Sequence, residues 1–246
     1  MSLRIFIHAL RMVFADLGAS LKVTGVLYLF AYVLIAAPFV IFLGTADIVS
    51  VMSDPNGPPN VEGGFLLSVL VGVVGYITLS TWLAICWHRY VLLGEIALSF
   101  PTGKVGPYFW RGFGYAIAAF LPVVIVGGII VTAAGQGAAV VVDILVTVVG
   151  LFLLFRISMG LPGLCVDQHI DLQESWKRTA PFSGMILGTT LILAVVSTVF
   201  SLLVAGLLSG AGGASIVVVM ALNLIIGWMQ LMVGLSLLTT FYGVSI

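Results

Sequence analysis

Apolar residues run along this chain in six long stretches, separated by short breaks rich in Gly, Pro, Asn and charged residues. About 20 apolar residues in a helix rise some 30 Å, the thickness of a bilayer's hydrocarbon core. The pattern therefore predicts six transmembrane helices over about 23–42, 65–85, 115–133, 140–159, 185–208 and 216–238. The breaks carry turn chemistry. They are Asp54-Pro55-Asn56-Gly57-Pro58-Pro59-Asn60, then Phe100-Pro101-Thr102-Gly103-Lys104, then Ala134-Gly135-Gln136-Gly137, and finally Gly210-Ala211-Gly212-Gly213. The linker at Gly135 is so short that the third and fourth spans must form a tight hairpin. Pro162, within Met159-Gly160-Leu161-Pro162-Gly163, ends or kinks the fourth span.

Shorter patterns sit beside the spans. Leu3, Phe6, Ile7, Leu10, Phe14 and Leu17 recur at helical spacing, with Arg4, His8, Arg11 and Asp16 largely elsewhere on the wheel. This predicts an amphipathic helix over 3–17, lying on the membrane surface. Tyr108-Phe109-Trp110-Arg111 and Leu172-Gln173-Glu174-Ser175-Trp176-Lys177-Arg178 read as two more interfacial pieces, because aromatic and basic side chains collect at headgroup level. The expected fold is all-α: a polytopic helical bundle, one transmembrane domain over 1–246, with short interfacial helices. A repeat shows through. Arg89 and Arg156 are 67 residues apart, as are Arg111 and Arg178, and Phe109 and Trp176. The repeating unit would be a surface helix followed by a hairpin of two spans, used three times.

Composition agrees: 61% of residues are hydrophobic and 7% charged, against about 25% charged in a soluble domain. Net charge is zero, which argues against a nucleic-acid partner. The nine Lys and Arg fall on one side of the topology, so the positive-inside rule places both termini in the cytoplasm. No cleavable signal peptide or lipidation motif is evident. Cys86 and Cys165 fall toward the same reducing side and fit no metal or disulfide pattern.

Candidate chemistry is sparse. His88, Arg89, Arg111, Arg156, Lys177 and Arg178 are candidates for lipid-headgroup binding, since guanidinium donors match phosphate oxygens. The plainer alternative is anchoring, with the long side chains snorkelling to the interface. Arg89 with Glu95, and Arg156 with Asp167 or Asp171, are candidate ion pairs. Asp143, Asn223 and Gln230 are the candidate intramembrane polar residues. Asp143 is either a proton or ion site or a group reaching water at the outer end. Asn223 and Gln230 share a helix face and either line a cavity or bond to neighbouring helices. Gly184 with Gly188, and Gly206 with Gly210, have the spacing that allows close helix approach. The three histidines have no partners at metal spacing, and no GxSxG, HExxH, Walker or GxGxxG pattern occurs in a suitable context. No cofactor and no enzymatic activity is expected.

The stretch Trp87-His88-Arg89-Tyr90-Val91-Leu92-Leu93-Gly94-Glu95 resembles a segment of six-span membrane proteins of alphaproteobacteria. Arg156 through Pro162, followed by Leu172-Gln173-Glu174-Ser175-Trp176-Lys177-Arg178-Thr179, is the second point of likeness. The layout also looks like that of YciC-like proteins and of the membrane portion of some glycerophosphodiester phosphodiesterases. The resemblance implies a bacterial inner-membrane location and carries no activity with it. The leading expectation is a non-enzymatic inner-membrane protein binding lipids or other membrane proteins in envelope organisation. An accessory or assembly subunit of a respiratory or photosynthetic membrane complex and a small-solute transporter are the alternatives.

Overall fold

The computed structural model describes residues 1–53, 63–96, 99–210 and 216–245. The loop expected at Asp54–Asn60, Glu62, and the turn expected at Ala211–Gly213 lie outside them. The described residues form an all-α bundle without strands: α1 (Ser2–Phe14), α2 (Leu17–Ser20), α3 (Val26–Ser53), α4 (Gly63–Leu93), α5 (Val105–Ala134), α6 (Ala139–Ile157), α7 (Gly160–Cys165), α8 (Leu172–Thr179), α9 (Ser183–Gly210) and α10 (Ile216–Ser245).

The amphipathic N-terminal segment is helical but shorter than expected. It breaks at Ala15, and Asp16 caps the next helix, accepting from the Ala19 N–H at 2.9 Å. Leu21–Gly25 then forms a π-helical turn that leads into α3. The apolar stripe of α1 also faces two ways. Phe6, Ala9 and Val13 are buried, while Leu3, Ile7, Phe14 and Leu17 are exposed. The buried face packs on α9 and α10, so α1 is a docked helix rather than a free surface one. Ser2 at its start sits over Gly188, where a β-carbon would collide with it. The expected small-residue seat at Gly188 is thus an intrachain contact.

Several helices outrun the apolar runs. A helix ends where the backbone is given a reason to turn, not where hydropathy falls. α4 continues through Trp87-His88-Arg89-Tyr90 and stops only before Gly94, whose φ of 70° suits a left-handed cap. The interfacial piece expected at Tyr108–Arg111 does not exist separately: it is the opening of α5. α6 ends at Ile157, and the Gly160–Pro162 stretch forms the short α7. α8 is found where expected, with Asp171 accepting from the Glu174 N–H at 2.7 Å as its cap. The linker between α5 and α6 turns at Gly135 (φ 82°).

The helices pack as hairpins. α3 lies most extensively against α4, and α5 against α6, while α9 contacts both α6 and α10. At Gly72 the approach is so close that a β-carbon would stand 2.5 Å from the Leu34 carbonyl oxygen. The most fully enclosed side chains gather toward one end. There Trp87, Met159, Ile186, Leu237 and Phe241 are fully enclosed. Toward the other end Ile41, Leu66, Ile129, Leu202 and Val218 face outward. Among the described residues, six helices are long and apolar enough to cross a membrane. The exposed apolar halves are what lipid would cover. Of the three expected hairpins, α3 with α4 and α5 with α6 pack as pairs, whereas α9 lies more extensively against α6 than against α10. α1 precedes the first and α8 the third, but the second has no separate surface helix.

Candidate functional site: a polar cap at the basic end

All nine Lys and Arg lie toward the more enclosed end, on α1, the π-turn before α3, the closing turns of α4 and α6, the opening of α5, and α8. Their side chains are mostly used up in holding that end together. His88 on α4 is fully buried. The Thr239 hydroxyl donates to the Leu235 carbonyl at 2.8 Å. It therefore accepts from His88 Nδ1–H, also at 2.8 Å. This leaves Nε2 to accept from the Tyr108 hydroxyl at 3.0 Å. The neutral imidazole thus links α4, α5 and α10 with both nitrogens satisfied. It has no surface to offer a headgroup, contrary to its candidacy.

Arg89, one residue on, forms the expected ion pair, with Nε donating to Glu95 Oε2 at 2.9 Å. Its Nη1 also donates to the Cys165 carbonyl at 3.2 Å. Lys104 Nζ reaches the same carbonyl at 3.1 Å and pairs with Asp167 at 2.9 Å. Asp167 holds a left-handed backbone, φ 60°. The segment after α7 lies over α7 itself. A β-carbon on Gly160 would stand 2.6 Å from the Ile170 carbonyl oxygen, and one on Gly163 2.9 Å from that of Gln168. The Tyr242 hydroxyl donates to Gln168 at 2.7 Å. Burial of Cys165 beneath this segment pushes its thiol up to about 12. Both cysteines are free and buried.

Arg156 takes neither Asp167 nor Asp171, which corrects the expected pairing. It is 8% exposed, with its guanidinium carbon 3.6 Å from the centroid of the Trp176 ring. Nε donates to the Thr179 hydroxyl at 3.2 Å and Nη2 to the Trp176 carbonyl at 2.8 Å. Ser175 adds to the clasp, donating to the Arg156 carbonyl at 2.8 Å and accepting from the Met159 N–H at 3.1 Å. The end of α6 is thereby fastened to α8 by stacking and neutral acceptors. Arg178 pairs with Glu174 at 2.6 Å along α8. Arg111 Nη2 donates to His169 Nδ1 at 3.3 Å. Lys177 is exposed and pairs with nothing among the described residues, as are Arg4, Arg11 and Lys22.

The intramembrane polar residues do not come together. Asp143 is exposed, one turn into α6 at the end away from the basic residues. Asn223 is exposed and turned back on its own helix, donating to the Val219 carbonyl at 3.1 Å. Gln230 is half-buried deeper on α10. None of them lines the apolar groove of about 560 Å³ between the α1–α3 region and α10, or the apolar cleft of about 400 Å³ between α5 and α6.

Sequence reasoning missed Tyr108, Thr239, Lys104, Thr179 and the Cys165 carbonyl. Tyr, Thr and a main-chain oxygen have no spacing signature. The one available signal was the pair Gly160 and Gly163, which marks a place where backbone approaches backbone.

The fold and this end define a class: a six-span α-helical membrane bundle with a hydrogen-bonded polar cap. Comparison with known proteins finds no matching family model, no matching curated relative and no matching solved structure.

Proposed function

We propose that the protein is a non-enzymatic component of a bacterial inner membrane that binds anionic phospholipid at its basic end, with that end and both termini in the cytoplasm. The observation that carries this reading is the division of labour among the cations. Arg89, Arg156, Arg178 and Lys104 are spent on internal bonds. Arg4 and Arg11 on α1, Lys22 on the π-turn and Lys177 on α8 are exposed and without a partner among the described residues. A cation at the membrane surface attracts acidic headgroups by about 1 kcal/mol each, and four on one end sum to selective retention. The test is native mass spectrometry of the full chain in mild detergent, comparing wild type with a variant carrying Gln at positions 4, 11, 22 and 177. Retained phosphatidylglycerol should fall by more than about tenfold, the equivalent of some 1.4 kcal/mol. Equal retention in the two proteins refutes the reading.

A further inference from the structure

At the basic end a cleft of about 360 Å³ opens between the second turn of α5 and the segment leading into α8, with Arg111, Tyr115, His169, Asp171 and Glu174 on its walls. The walls carry opposite charge. On one side Arg111 donates to His169 Nδ1. A nitrogen that accepts holds no proton, so the neutral ring presents its N–H at Nε2. Arg111 Nη1 is shielded from solvent and has no hydrogen-bond partner, a condition that buried donors rarely tolerate. On the other side Asp171 uses one carboxylate oxygen on the Glu174 N–H and Glu174 uses one on Arg178. The second oxygen of each has no protein partner among the described residues. The far wall is held in place: Ile170 is 2% exposed and its carbonyl lies against Gly160. Trp110 and Phe113, exposed on the opening turns of α5, mark headgroup level beside the cleft.

We propose that this cleft binds a zwitterion made of a phosphate and a primary ammonium, in the form of the headgroup of phosphatidylethanolamine. The phosphate takes donors from Arg111, whose idle nitrogen gains an acceptor as the guanidinium turns toward it, and from His169 Nε2–H. The ammonium donates to the free oxygens of Asp171 and Glu174. A purely anionic headgroup would set its charge against two carboxylates. A choline headgroup has no N–H to donate and is recognised by aromatic faces instead. The acyl chains then leave past Trp110 and Phe113 into the bilayer. The inference rests on the lipid-binding reading above but uses other residues.

The full chain in mild detergent is titrated with phosphatidylethanolamine, phosphatidylglycerol and phosphatidylcholine of identical acyl chains, and separately with soluble O-phosphoethanolamine, with bound species counted by native mass spectrometry. In the variant carrying Gln at positions 4, 11, 22 and 177, which lacks the competing surface cations, the ethanolamine lipid is expected to bind about tenfold more tightly than either other lipid, with the soluble headgroup far weaker. Asp171→Asn keeps a capping side chain and removes one charge. Added to that variant, it should bring the preference for ethanolamine over glycerol close to unity, and His169→Ala, on an exposed residue, should weaken binding of the ethanolamine lipid. Equal binding of the three lipids to the variant with Gln at positions 4, 11, 22 and 177, an unchanged preference once Asp171→Asn is added, or soluble phosphoethanolamine binding as tightly as the lipid would each overturn the proposal. Glycerol lipid retained by wild type through Arg4, Arg11, Lys22 and Lys177, without any ethanolamine preference in the variant, refutes this inference alone. Loss of all lipid binding refutes both.

Discussion

The two ends of the bundle are built on different principles. At the basic end helices from all three hairpins meet, and polar groups are locked in pairs: His88 between Thr239 and Tyr108, Arg156 against Trp176, Lys104 on Asp167. Toward the other end α3 and α4 stay in close contact, as at Gly72 over Leu34, while Ile41, Leu66, Ile129 and Leu202 turn outward. Lipid tails are as apolar as leucine, so apolar faces gain little by leaving lipid for one another. Where helices are held together between hairpins, the holding is done by shape and by hydrogen bonds.

This contrast has graded consequences for stability, measurable by reversible unfolding in detergent or bilayers. Trp87→Ala empties a fully enclosed site at the basic end and should lower stability by about 3–5 kcal/mol. A loss below about 1 kcal/mol would mean that end is not the core. Gly160→Ala forces the Ile170 carbonyl away and should cost about 1–3 kcal/mol. Arg156→Lys keeps the charge but loses the planar stack on Trp176 and the Nε bond to Thr179, for about 1–2 kcal/mol. If Lys serves as well as Arg, the clasp on α8 is merely electrostatic. Ile129→Ala, on the lipid-facing half of α5, should stay within about 0.5 kcal/mol of wild type, and a larger loss would place a neighbour on that face. The smallest effect is chemical. Cys165, buried and with its thiol raised to about 12, should resist a water-soluble maleimide at pH 8 until the protein is unfolded.

Legibility followed the same divide. The spans could be read because apolar length is a local property that lipid selects directly. The Arg89–Glu95 pair could be read because its partners are six residues apart, either side of the Gly94 cap. Arg156 was misassigned because charge counting favours a carboxylate, whereas the fold supplies an aromatic face and two neutral oxygens from α8. His88 carries no mark in the sequence to separate a buried, doubly bonded ring from an interfacial one. Its partner Thr239 stands 151 positions away.

By itself the amino-acid sequence determined the helices that cross the membrane, the gathering of nine cations at one end, and the amphipathic character of α1 and α8, all of which follow from local hydropathy and helical periodicity. Tertiary structure alone decided which cations are consumed and which stay free, that α1 docks on α9 and α10, and that Arg111, His169 and Asp171 face one cleft. Those outcomes depend on distances between residues far apart in the chain, and in an apolar chain few side chains encode them.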